Sequence, residues 1–344
     1  PAFAGMTKTH DFGVFGRSDL NFDFCILIFT FQRSEMNIIG HKFIFLSFSA
    51  ILVIASFVAL AVWGLKFGID FTGGSLMEVE FGSSSPVSEE IRRVIEPLNL
   101  GLVTIQQAGE KGWILRFRDI DEETHVQLGA ALSSLSPQKE QFIEKHFDTI
   151  GPTIGRTLRN RSLLAIALAV IGIIVYVGWA FRSVSEPVSS WKYGIVAIIA
   201  LIHDISIPTG VFSVMGHWRG MEIDSLFITA LLTVMGFSVH DTIVIFDRIR
   251  ENLTKQKGRD PYGQIVNVSI NETITRSINT TLTVFIVLLA IYVLGGETVK
   301  YFALALMIGI VAGTYSSIFV ASPLLVIWNN LSGEGGKARR KKSK

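Results

Sequence analysis

An apolar run between residues 227 and 246 is interrupted by Ser238, His240 and Asp241, then gives way to Asp247-Arg248-Ile249-Arg250-Glu251-Asn252. A carboxylate inside a bilayer span costs about 2.5–3.5 kcal/mol even on the lenient insertion scale, so Asp241 needs a cause. The usual causes are a proton or ion pathway, or a buried partner on a neighbouring helix. Helical spacing groups Val234, Ser238 and Asp241, with Thr233 and Phe237 close by, and sets His240 on an adjacent side with Thr229, Thr233 and Gly236. A side this small and polar faces protein or water rather than lipid.

Other segments supply candidate partners. His203-Asp204 falls near the middle of a second apolar run, followed by Ser206 and by Pro208, which frees a backbone carbonyl and favours a kink. Arg276 opens a third run, in which Thr273, Arg276, Thr280 and Thr283 recur at helical spacing as a second polar face. Burial favours a neutral acid and a guanidinium favours a carboxylate, so an Asp241–Arg276 contact that makes and breaks would take up and release one proton. A static polar contact that locks helices together uses the same residues, and His203 and His240 serve either reading. Gly309 and Gly313 form a G-x-x-x-G pair, extended by Ser316 and Ser317, that predicts a close-packing helix face. No metal-ligand spacing, nucleophile elbow or phosphate loop accompanies these groups, so neither covalent catalysis nor a cofactor is expected, with H+ as the coupling ion.

The elements that must position these groups are membrane spans. A mean hydropathy of +0.46 and 25 phenylalanines exclude an ordinary soluble domain. Apolar stretches long enough to cross about 30 Å of hydrocarbon occupy residues 43–65, 162–181, 193–215, 225–246, 277–294 and 301–328. Lysines and arginines gather in the connection after the fourth stretch (Arg248, Arg250, Lys255, Lys257, Arg259) and in the tail from Lys337 to Lys344. That bias predicts cytoplasmic termini and an external first loop; Arg156, Arg159 and Arg161 run against it, as long translocated segments are free to do. The expected organisation is a disordered extension at 1–35, a cytoplasmic start and first span at 36–66, and an external domain at 67–161. The other five spans follow at 162–328, with a cytoplasmic loop at 247–276, and a basic tail at 329–344. The tail's charges follow topology and suit anionic lipid better than nucleic acid.

Cys25 is the sole cysteine, so no disulfide forms within the chain. The first residue is Pro1, and the natural start is expected at Met36. In the external loop, Gly68-Ile69-Asp70-Phe71-Thr72-Gly73-Gly74 reads as a turn into a strand through Met77, Val79 and Phe81. A helix at 88–97, strands at 102–107 and 113–118, a helix at 121–135 and a strand at 141–150 complete a β-α-β-β-α-β order, that of a ferredoxin-like sandwich. His125 and His146 are isolated and read as solvated side chains.

The stretches 68–74, 151–155 (Gly151-Pro152-Thr153-Ile154-Gly155), 200–204, 236–252, 271–281 and 313–317 together resemble, in order and spacing, the SecF side of the SecD/SecF family of bacterial protein-export membrane proteins. The resemblance runs from about Met36 to Trp328. It implies a six-helix bundle of the RND superfamily in the bacterial inner membrane, with the domain at 67–161 periplasmic, and SecD as a pseudo-symmetric partner. It further implies association with the SecYEG channel, often YajC, and with the translocating preprotein, and use of the proton motive force late in export. It places Asp241 (in Gly-x-Ser-x-x-Asp-Thr) and Arg276 on a proton path, with Asp204 in a His-Asp motif near it. His240 departs from the asparagine of many relatives, and a histidine beside Asp241 shares its titration. Two other readings compete: an RND-type half-transporter for a lipid or small molecule, and a passive scaffold for SecD.

Overall fold

The computed structural model describes residues 36–82, 85–109, 111–136, 142–181, 190–256 and 260–331. The extension with Cys25, the positions of Lys257 and Arg259, and the tail beyond Leu331 lie outside the described residues. Six helices are long and apolar enough to cross a membrane. They are α1 (Lys42–Trp63), α5 (Pro152–Ala180), α6 (Ser190–Arg219), α7 (Ser225–Gln256), α8 (Tyr262–Leu294), and a last span made of α9 (Glu297–Ser316), a π turn (Ser317–Ala321) and α10 (Ser322–Leu331).

Between α1 and α5 lie a short helix α2 (Ile69–Thr72), then β1 (Gly74–Phe81), α3 (Ser88–Ile95), β2 (Thr104–Ala108), β3 (Gly112–Phe117), α4 (Glu122–Ser133) and β4 (Phe142–Ile150). The strands pair antiparallel in the order β2-β3-β1-β4, the ferredoxin-like arrangement expected. Period-two alternation sends Met77, Val79 and Phe81 to one face with Leu115 and Phe117, where Ile91, Ile95, Leu128 and Leu132 from the two helices close the core. Asp121 caps α4 by accepting the Thr124 hydroxyl and the Thr124 N–H, and these bonds, the hydroxyl's first, hold its carboxyl below the usual range.

Two helices run well past the apolar stretches. α7 continues to Gln256 rather than ending near residue 246, and α8 begins at Tyr262 rather than residue 277, so most of the expected loop 247–276 is helical. The cause is packing: Ile249, Asn252, Ile265, Val266 and Ile270 are buried between the two extensions. Arg248 pairs with Glu251 and Glu272, and Asn252 donates to Ser269 and Glu272, which meets the polar demand there. α5 likewise starts at Pro152 rather than residue 162, with proline in the first turn, where its missing N–H is not needed.

Lipid tails are as apolar as leucine, so spans associate through close packing rather than a hydrophobic drive. A Cβ on Gly309 would lie 2.3 Å from the Val234 side chain, one on Gly313 3.0 Å from Ser238 Cβ, and one on Gly210 2.4 Å from Ser56 Cβ. These glycines bring α9 onto α7 and α6 onto α1. The outer faces of α1 and α5, with Phe43, Ile51, Phe57, Leu164, Ile171 and Trp179, are exposed and apolar, as lipid contact requires.

The two connections into the sheet domain touch each other. A Cβ on Gly155 would fall 2.8 Å from the Gly73 nitrogen, and Gly73, at φ +77°, faces Pro152 at 2.7 Å. Because these neighbours are backbone, they cannot yield as a side chain tip would. Gly155→Ala is expected to lose about 1–3 kcal/mol, read as a lower thermal midpoint of the purified protein, whereas Gly172→Ala, with open space around it, should hold or raise that midpoint.

Candidate functional site

Asp204 and Asp241 are both buried, on adjacent helices, and each is served by side-chain donors from its neighbours. Asp204, fully buried in α6, accepts from the Ser238 hydroxyl of α7, the Ser316 hydroxyl of α9 at 2.8 Å and His203 Nδ1 at 2.8 Å. Asp241 of α7 accepts from the Ser277 hydroxyl of α8 at 3.2 Å and the Thr314 hydroxyl of α9 at 3.0 Å. Thr314 in turn pairs with Thr281 of α8 at 2.5 Å. Two carboxylates therefore link four spans. α7 contributes Ser238 and Asp241 one turn apart, and α9 contributes Thr314 and Ser316.

An anion out of water is tolerated only when its lone pairs are met by donors. Asp204 has the fuller set and no exposure. Asp241 has two longer bonds, both to hydroxyls, whose protons can turn. Pro208 lies in α6 four residues beyond Asp204, so the backbone carbonyl it leaves without a helical partner is that of Asp204. The π turn follows Ser316 directly and is bridged by the Ser322 hydroxyl to the Ser317 carbonyl at 3.0 Å. Such turns recur at functional sites because they re-aim side chains within a helix.

The residues singled out by sequence divide into three groups. His203 joins Asp204; its Nε2 is buried without a hydrogen-bond partner among the described residues, and its ring stacks near Tyr315, 6.1 Å between centroids. Arg276 and His240 do not reach the carboxylates by any hydrogen bond or ion pair among the described residues; both are exposed. Arg276 lines a cavity of about 380 Å³ with Phe181, Val244, Asp247, Arg250, Glu251 and Thr273, at the end of the bundle away from the sheet domain. The glycine motifs form the third group: Gly309 and Gly313 press α9 onto α7, while Gly68, Asp70, Gly73, Gly74, Gly151, Pro152 and Gly155 build the root of the sheet domain.

Sequence reasoning passed over Ser277 and Thr314 as partners and took Ser316 for a packing residue. The available signal was hydroxyls one and three residues beyond Gly313, on the face already marked by the glycines. It also left a polar surface unexplained. Thr229, Thr233, Gly236 and His240 on α7, and Arg276, Thr280 and Thr283 on α8, are exposed along helices that cross the bilayer. The threonine hydroxyls bond back to their own helices, but lipid offers nothing to His240 and Arg276, so this face calls for cover by protein or water.

Residues 130–331 match the family described as protein export membrane protein SecD/SecF, C-terminal, and residues 58–84 match the SecD/SecF GG motif. A protein translocase subunit SecF from Thermobaculum terrenum is 44% identical over 308 residues, covering 86% of this chain and 94% of that protein. One from Anaerolinea thermophila is 40% identical, covering 87% and 95%. Among solved structures, a crystal structure of SecDF from Thermus, described as a translocon-associated membrane protein, aligns with a TM-score of 0.74 at 32% identity. It covers 86% of this chain, which spans only 39% of that longer one.

The donor pattern predicts unequal sensitivity. Ser238→Ala or Ser316→Ala leaves Asp204 short of a donor in a sealed core and is expected to lower stability by about 1–3 kcal/mol. Thr233→Ala, on the exposed side of α7, should leave the thermal midpoint of the purified protein unchanged.

Proposed function

We propose, from the premise that this chain belongs to the SecD/SecF family of protein-export membrane proteins, that it is a SecF-type subunit of the Sec protein translocase. In this reading it assists late steps of export with the proton motive force, and Asp241 is the group that takes up and releases the proton. The observation that carries the reading is a buried carboxylate in a membrane helix held by two hydroxyls rather than by a cation.

When Asp241 is ionised, Ser277 and Thr314 point their protons at it and α7, α8 and α9 are drawn together. Protonation adds one hydrogen to a carboxylate oxygen, which then donates to one of those hydroxyls. The Thr314 proton turns towards Thr281 Oγ1, the acceptor 2.5 Å away. The attraction between a full charge and two dipoles becomes an ordinary neutral hydrogen bond, roughly half as strong. Arg276 sits one position before Ser277 on α8, and one position is about 100° of helix rotation. A turn of α8 by that amount exchanges Ser277 for Arg276 at Asp241 and favours release of the proton. The cavity beside Arg276 gives water a way to that point from the end opposite the sheet domain. One charge crossing the full potential supplies about 2.3 kcal/mol per 100 mV, a bias of about fifty-fold in a two-state equilibrium.

SecD is the partner this reading assigns to the exposed polar face of α7 and α8. The charged ends of those helices, with Arg248, Arg250 and Lys255, are assigned to the cytoplasm of a bacterial inner membrane, and the sheet domain to the periplasm. SecYEG, with YajC, and the emerging preprotein are the further partners proposed, and anionic lipid that of the basic tail.

The test is preprotein movement into sealed inverted vesicles with and without a proton gradient, at equal membrane levels and equal SecD co-purification. Asp241→Asn should keep the gradient-independent movement and lose the increment that the gradient adds. An unchanged increment would leave Asp241 as a structural contact and favour a scaffold.

A further inference from the structure

The sheet domain is joined covalently to α1 and α5, yet both buried carboxylates lie on α6 and α7. Motion at those carboxylates reaches the domain directly only through contacts the chain does not provide covalently. The loop at 220–224, which joins α6 to α7, makes them. Gly68 N–H donates to the Ile223 carbonyl and Ile223 N–H donates to the Lys66 carbonyl, both at 2.8 Å, so that Phe67 and Ile223 pair as a parallel bridge. Glu222 meets Arg116 of β3 at 2.9 Å, and Gln106 of β2 donates to the Arg219 carbonyl at 3.2 Å. Asp70 completes the set: its Oδ2 accepts the Ser225 backbone N–H at 2.8 Å and also the Ser225 hydroxyl.

Ser225 is the first residue of α7, so Asp70 caps that helix from another part of the chain. Asp224 caps the same turn from within, accepting the Phe227 N–H at 2.8 Å. Two carboxylates at one helix start repel each other, but the free N–H groups and the positive end of the helix dipole hold both. Burial pushes the carboxyls of Glu222 and Asp224 above their ordinary range; Arg116 and Lys66 draw Glu222 back, and Asp70 adds to the rise at Asp224. The joint is therefore largely shielded from water, where its charged contacts are strong and give poorly to shear.

We propose that Asp70 is a positioning residue for energy coupling: by capping α7 across the domain boundary, it makes the root of the sheet domain move as one body with the helix that carries Asp241. The proposal rests on the reading of Asp241 as the coupling group. In it, the turn at 68–74 is a coupling rather than a free hinge, and the Gly73–Gly155 contact passes the same displacement to the start of α5.

The experiment uses the full chain with SecD in lipid nanodiscs, with Cys25→Ser and pairs of spin labels at exposed positions. A pair at Thr254 and Leu294 reports α7 against α8; a pair at Val126 and Leu294 reports the sheet domain against the bundle. Acidification should change both distances in the parent and neither in Asp241→Asn. Asp70→Ala should keep the Thr254–Leu294 change and lose more than half of the Val126–Leu294 change. If the Val126–Leu294 change survives Asp70→Ala while Asp241→Asn abolishes it, Asp70 is not the coupling and the Asp241 reading stands. If Asp241→Asn leaves both changes intact, the Asp241 reading fails and this proposal fails with it. Should Asp70→Ala not accumulate in membranes, Glu222→Gln cuts the joint at its ion pair and is held to the same outcomes.

Discussion

An ionised carboxylate surrounded by hydrocarbon has to be given hydrogen-bond donors by the protein, because no water is there to supply them. Much of the bundle's arrangement follows from that need. Asp204 and Asp241 draw hydroxyls from α7, α8 and α9, and the last span stands at the centre because it serves both carboxylates through Thr314 and Ser316. Such a helix must come close. Gly309 and Gly313 allow it, since a methyl group at Gly309 would strike the Val234 side chain and one at Gly313 would crowd Ser238. The small residues and the hydroxyls are one device: the first set the distance at which the second can act.

The two carboxylates differ in how they are solvated. Asp204 sits in a closed set of three donors, including His203, that joins α6 to α7 and α9. Asp241 is held by two longer bonds to hydroxyls that can reorient, next to a guanidinium one helical position away. In the proposed mechanism, neutralising Asp241 changes the attraction across α7, α8 and α9. The root of the sheet domain is bonded to the start of α7 rather than merely tethered nearby.

Much of this was legible in the sequence, for physical reasons that differ by element. The six spans follow from apolar length alone, and the ferredoxin-like order follows from alternation in β1 and helical spacing at Ile91, Ile95, Leu128 and Leu132. Asp204 and Asp241 stood out because charge in an apolar run is expensive. Their partners did not stand out, since hydroxyls are inexpensive in helices and many are bonded to their own backbone. Thr273 and Thr280 bond back to Ser269 and Arg276 carbonyls, whereas Ser277, between them, reaches Asp241. Nothing in one sequence tells these cases apart. The helical extensions past residue 246 were hidden because hydropathy falls where charges begin, although the buried spacing through Ile249 and Asn252 continues. The Asp70–Ser225 contact joins residues 155 positions apart with no periodic signal between them.

In the proposed mechanism Asp241 is the carboxylate that takes up and releases the proton in the working range. Infrared difference spectroscopy of the reconstituted protein with SecD, stepped between mildly alkaline and mildly acidic buffer, reads this directly through the carbonyl stretch of a protonated carboxylic acid. The expected result is a band that appears on acidification and vanishes in Asp241→Asn. A band that survives Asp241→Asn would contradict that mechanism.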